Sequence, residues 1–141
     1  MKCDLCEMDA MFVVHLDQVR FLCERHLAKY DEFPFERVGE SPLVRASLDE
    51  AERILNALLA GRVVRFVHPK HSEIHWAIWD RERDVFVEKV VNSLTGEVLP
   101  LFEFSKFQDY FELLGKSIAL GWIAIITNFQ PDEICSDGGE R

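Results

Sequence analysis

The stretch RVVRFVHPKHSEIHWAIWDRERDVFVEKVV, residues 62–91, decides the fold. Arg62 to His68 is rich in β-branched residues and stops at Pro69, which has no N–H to give a ladder. Ile74 to Asp80 alternates apolar and polar residues, Arg81-Glu82-Arg83-Asp84 suits a hairpin loop, and Val85 to Val91 returns. Thr95-Gly96 turns the chain once more, into Glu97 to Phe102. Strands joined by loops this short pair antiparallel. Several are apolar on both faces, Trp76 with Ile78 on one and Ala77 with Trp79 on the other. Helices covering one face would leave the second for the rest of the chain or for a partner.

Helices flank this stretch. Ser47-Leu48-Asp49-Glu50 has the pattern of a capping box, followed by Leu48, Ala51, Ile54, Leu55, Leu58 and Leu59 at helical spacing, with Gly61 as the stop. Downstream, Ser105-Lys106-Phe107-Gln108 opens a second helix carrying Phe107, Tyr110, Phe111 and Leu114 and ending near Gly115. Ile118 to Thr127 then reads as a buried strand. The order α-β-β-β-β-α-β defines an α+β fold: a mainly antiparallel sheet of about five strands with two covering helices. Ile118 to Ile126, the longest apolar run, is interrupted by Gly121 and falls well short of the ~20 residues of a membrane helix.

Before the first helix lies a different kind of signal. Cys3-Asp4-Leu5-Cys6 and Cys23-Glu24-Arg25-His26 place two thiolates, then a thiolate and an imidazole, at the spacing of a tetrahedral zinc site. Met11 to Leu16 and Val19 to Leu22 form a hairpin between the pairs, and Glu24 to Tyr30 suits a short helix that turns Cys23 and His26 toward one metal. About thirty residues cannot bury enough apolar surface to fold alone, and a structural metal offsets the deficit. Knuckle, hairpin and ligand-bearing helix start together look like a treble clef. With Cys3, Cys6, Cys23 and His26 filling four positions, no open site is left for substrate, so one structural zinc is expected. A CxxC can also be a redox pair, but the later Cys23/His26 pair argues against that.

Cys3-Asp4-Leu5-Cys6, Val14-His15-Leu16 and Leu22-Cys23-Glu24-Arg25-His26 resemble the zinc modules at the start of bacterial McsA-type proteins. The resemblance covers residues 1–30 alone. It implies metal ligation by those four residues and a bacterial or phage setting. It does not extend to the partnership of that family with a protein-arginine kinase, because nothing after Tyr30 is similar and a second CxxC module is lacking. The organisation expected is therefore a zinc-binding module over residues 1–30, a linker over 31–46 marked by Pro34, Gly39, Pro42 and dense acids, the α+β domain over 47–129, and a flexible acidic tail over 130–141. Phe33 and Phe35 in the linker would pack back onto a core or serve as an acidic-aromatic docking motif.

Charge bears on function. The net charge is −9, from 25 acidic against 16 basic residues, and Arg62, Arg65 and Lys70 are too few to form a phosphate-binding patch. Nucleic acid is thus an unfavourable partner, and a regulator acting on it is the weakest reading. No apolar leader follows Met1-Lys2, and three of four cysteines sit at ligand spacing, so a reducing cytoplasm is expected, with Cys135 left over in the polar tail. The sharpest chemical alternative to the zinc module is His68-Pro69-Lys70-His71-Ser72-Glu73-Ile74-His75. His68, His71, Glu73 and His75 are candidate catalytic or metal-binding groups for a metal-assisted hydrolase or nuclease; on a hairpin loop they would instead be solvated. Trp76, Trp79 and Trp122 read as core rather than stacking platforms. No phosphate loop, GxSxG elbow or HExxH occurs. The preferred reading is a non-catalytic, zinc-stabilised adaptor, regulator or immunity-type inhibitor whose acidic surface suits a basic protein partner.

Overall fold

The hairpin of residues 73–92 forms the middle of the structure, a computed structural model that describes residues 1–135. Strand β5 (Glu73–Asp80) pairs antiparallel with β6 (Val85–Asn92) along its whole length, from Glu73 opposite Asn92 to Asp80 opposite Val85. Asp84, at φ 54°, closes the loop in a conformation aspartate tolerates better than most residues. Outside this pair lie β4 (Val63–Val67) and β8 (Ile123–Thr127) on one side and β7 (Phe102–Phe104) on the other, giving a five-stranded antiparallel sheet in the order β7-β6-β5-β4-β8. The fold is α+β, as expected. The strand read at Glu97–Phe102 falls later, at β7; before it only Val98 bridges, to Val91.

Two long helices, α2 (Pro42–Leu59) and α3 (Phe107–Ala119), cover one face. Their buried side chains Ile54, Leu58, Tyr110 and Leu114 meet Val64, Phe66, Ala77 and Phe86 of the sheet in one core. Each of the large ones contributes roughly 1.5–3 kcal/mol by leaving water. The Phe86 and Tyr110 rings stack with centroids 4.4 Å apart.

Both helices depart from the sequence expectation. α2 begins at Pro42, five residues before the Ser47 box: buried Ser41 caps it by accepting from the Val44 N–H at 3.3 Å, and Pro42 sits where a missing N–H costs nothing. Ser47 is interior and buried. α3 starts after Lys106 without a side-chain cap and runs through Gly115 to Ala119. Gly115 is a contact point rather than a stop. A Cβ there would stand 2.7 Å from Leu48 Cδ2, so its absence lets α3 approach α2. The chain turns instead at Gly121, φ +105°, which shortens the expected strand to β8.

Gly121 has a second constraint, since its Cβ would lie 2.9 Å from His68 Nε2. Gly121→Ala is therefore expected to destabilise the chain by about 1–3 kcal/mol through backbone strain and displacement of His68. Urea denaturation measures this directly.

The first forty residues form a second, smaller sheet. Strand β1 (Phe12–His15) pairs with β2 (Val19–Leu22), and helix α1 (Glu24–Leu27) follows Cys23. The stretch expected as linker supplies β3 (Phe35–Arg37), which adds to β1 with Val13 opposite Glu36. Phe35 meets Phe12 edge to face at 5.8 Å. This unit packs onto the helices. Ala10, Val13 and Phe21 share a buried cluster with Val44 and Ala119, and Lys116 of α3 reaches the Asp4 carboxylate at 2.5 Å and the Lys2 carbonyl at 2.9 Å.

Among the described residues, the sheet's other face is covered at one end, where Val63, Ile78 and Val87 are buried. Helix α4 (Pro131–Cys135) lies within the stretch expected as flexible tail and sets Ile134 against Val63, Ile78 and Val87. Residues 136–141 of that tail lie outside the described residues. No described helix is long and apolar enough to cross a membrane.

Candidate functional site

The hairpin of β1 and β2 brings the two ends of the ligand set together. Register places Phe12 opposite Leu22, so the chain entering β1 and the chain leaving β2 lie side by side, with Cys3-Cys6 near Cys23. Cys23 is the residue before α1, and His26 lies one turn into it. The ligand atoms of Cys3, Cys6, Cys23 and His26 all fall within 4.8 Å of one another. Cys6 Sγ is 3.7 Å from Cys23 Sγ, while His26 Nδ1 is 3.3 Å from Cys23 Sγ and 3.5 Å from Cys3 Sγ. A tetrahedral centre with bonds of about 2.3 Å to sulfur and 2.0–2.1 Å to nitrogen has edges of about 3.8 Å between sulfurs and about 3.6 Å between sulfur and nitrogen. These three edges match, and with all four ligand atoms within 4.8 Å the set is placed to hold a metal ion.

The surroundings suit charge on the Cys3 sulfur. Burial works against the Cys3 thiolate, but it is outweighed by the backbone around Leu5 and Cys23 and by the His26 and Cys6 side chains, and the pKa falls from 9.0 to about 6. The Leu5 N–H donates to Cys3 Sγ at 3.4 Å. At Cys6 the Met8 backbone favours the thiolate, yet desolvation and the neighbouring sulfurs of Cys23 and Cys3 push its pKa up. Thiolates packed this closely repel one another unless a cation lies between them. Val14, Leu22, Leu16 and Leu27 pack around the cluster.

The histidines of the second candidate set take separate roles. His68 donates from Nε2 to the Leu120 carbonyl at 3.0 Å and accepts the Lys70 N–H at Nδ1, also at 3.0 Å, so both ring nitrogens are engaged. His71 stacks on Trp122, with interplanar angle 1° and centroids 5.4 Å apart, and meets the His68 ring edge to face. His75 lies on β5 rather than in the loop and donates from Nδ1 to Glu88 Oε1 at 3.1 Å. Glu73 stands 3.6 Å from His75 Nε2, an atom shielded from water and without a hydrogen-bond partner. Among the described residues, the Cys3, Cys6, Cys23 and His26 set is the group of three or more such side chains whose ligand atoms converge.

Sequence reasoning missed Glu88 and Tyr110. The Tyr110 hydroxyl, fully buried, donates to Glu88 Oε2 at 2.8 Å, completing a His75–Glu88–Tyr110 network under α3. The available signal was the Glu88-Lys89 pair interrupting the apolar run Val85–Val91. Of the tryptophans, Trp79 packs against the main core, Trp122 carries three histidine rings, and Trp76 lies on the opposite face beneath the Arg65 guanidinium. Comparison with known protein families, curated proteins and solved structures finds no match to this chain.

Proposed function

We propose that this chain is a non-catalytic, zinc-stabilised protein that acts by binding another protein. The observation that carries the reading is the apolar strip on the sheet face opposite α2 and α3. Alternation puts Val67, Ile74, Val91, Ile123 and Ile125 on that face, and Ile123 and Ile125 are 52% and 36% exposed. Among the described residues, neither the metal-binding unit, which packs on the helices, nor α4, which meets the other end of the sheet through Ile134, covers it. Val67, Ile74 and Val91 are half-buried beside them, and apolar side chains exposed on a sheet face are a common mark of a protein-interaction site.

Zinc is the metal that three thiolates and one imidazole in a tetrahedron best suit. With four protein ligands, it has no position for substrate and serves the fold, in a treble-clef-like module. The likeness of residues 1–30 to McsA-type zinc modules supports the same role and a bacterial or phage setting. Unpaired metal-binding thiols fit a cytoplasmic location. A surface of net charge −9 favours a basic partner and disfavours nucleic acid.

The test is capture of the partner from cells expressing the tagged chain, in parallel with an Ile123→Asp/Ile125→Asp variant. Expected is a specific protein held by the unaltered chain and reduced at least about tenfold in the variant, with unchanged zinc content and circular dichroism. Equal capture by both chains, or no partner, would count against the reading.

A further inference from the structure

A cavity of about 230 Å³ lies between α3 and the inner face of the sheet. Phe66, Phe104, Leu114 and Trp122 form its walls, and Phe102 and Leu113, 47% and 38% exposed, stand at its mouth. Ser117 offers a hydroxyl on one side. The polar end consists of His75 and Glu88, backed by Tyr110. A carboxylate held under a helix is costly, and apolar side chains of similar volume usually stabilise such a position better. Small-molecule sites combine these features: an apolar cleft, a few converging polar atoms and a carboxylate fixed by its own donors.

The chemistry of the lining selects the ligand. Each Glu88 oxygen receives one hydrogen bond, from His75 Nδ1 or the Tyr110 hydroxyl, and keeps lone-pair capacity for another donor. Among the described residues no lysine or arginine lines the cavity, while Glu88 and nearby Glu73 both flank His75. Carboxylates and phosphates are therefore poor ligands. Walls of phenylalanine and tryptophan favour a flat ring. Burial tends to lower the His75 pKa, but its contacts with Glu88 and Glu73 raise it overall.

We propose that this cavity binds a small aromatic amine or N–H heterocycle, its ring against the aromatic walls and its donor on Glu88. The site is on the helix-covered side of the sheet, so it is independent of the protein-binding face.

Titration of the full chain with 2-aminobenzimidazole, followed by calorimetry, tests the proposal, with 1-methylindole as a flat ligand lacking a donor. Saturable binding of one 2-aminobenzimidazole per chain is expected, at least about tenfold tighter than 1-methylindole. Leu113→Trp, at the exposed mouth, should weaken both ligands by at least about tenfold through occlusion. Glu88→Gln should erase the preference for the donor-bearing ligand; should that variant not fold, the two ligands and Leu113→Trp still decide. Absence of saturable binding, equal affinity for the two ligands, or a Leu113→Trp variant that binds as the unaltered chain does would overturn the proposal.

Discussion

Replacing Cys23 with serine is expected to abolish zinc retention, melt the first forty residues and lower the stability of the whole chain by more than about 4 kcal/mol. Serine keeps the size of the side chain but is a poor zinc ligand, and the remaining sulfurs would be left without the proposed cation between them. The damage should not stop at the metal. Val13 and Phe21 share a buried cluster with Val44 of α2 and Ala119 of α3, so disorder in the small sheet uncovers the outer sides of both long helices. The Asp4–Lys116 contact would go with it. Urea denaturation with parallel metal analysis measures both effects, and a zinc chelator added to the unaltered chain should reproduce them. Survival of the small sheet without metal would mean that its own core suffices.

The second large effect is expected at Glu88. Glu88→Ala removes the acceptor for two buried or half-buried donors, His75 Nδ1 and the Tyr110 hydroxyl, and leaves a void beneath α3. Breaking one side of such a buried arrangement costs roughly 3–5 kcal/mol. The pH dependence carries a further signature. With the His75 pKa raised in the folded state, its stabilisation is fully present below the unfolded value of 6.5 and is lost as pH rises through the folded value. Denaturation curves from pH 6 upward should therefore show that loss in the unaltered chain and a smaller one in Glu88→Ala, where only Glu73 still opposes the effect of burial. A slope that persists undiminished in the variant would assign the effect to another group.

How far the sequence speaks depends on how local the determining interaction is. Cys3, Cys6, Cys23 and His26 were legible because ligand spacing is a local pattern and the hairpin between the pairs is short. The central hairpin was legible for the same reason, since alternation and a charged loop set its register. Gly115 was misread because the same residue can stop a helix or admit a neighbour, and only the position of Leu48 decides between them. Ser47 was read as a cap because its box is well formed, whereas Ser41 is followed by proline and also holds Glu36 through its hydroxyl at 2.9 Å. The strand at Phe35–Arg37 was hidden in acids and proline; it forms because β1 has a free edge, a property of the folded hairpin. The His75–Glu88–Tyr110 network joins three elements across 35 residues and depends on register and helix placement together, which no short motif encodes.

The proposed structural zinc centre holds the N-terminal unit together through Cys3, Cys6, Cys23 and His26. Zinc-edge X-ray absorption on the purified full chain tests it most directly. The expected spectrum shows one zinc per chain with three sulfurs at about 2.3 Å and one nitrogen at about 2.0 Å. An oxygen in the first coordination sphere, fewer than three sulfurs, or no bound zinc would contradict the account.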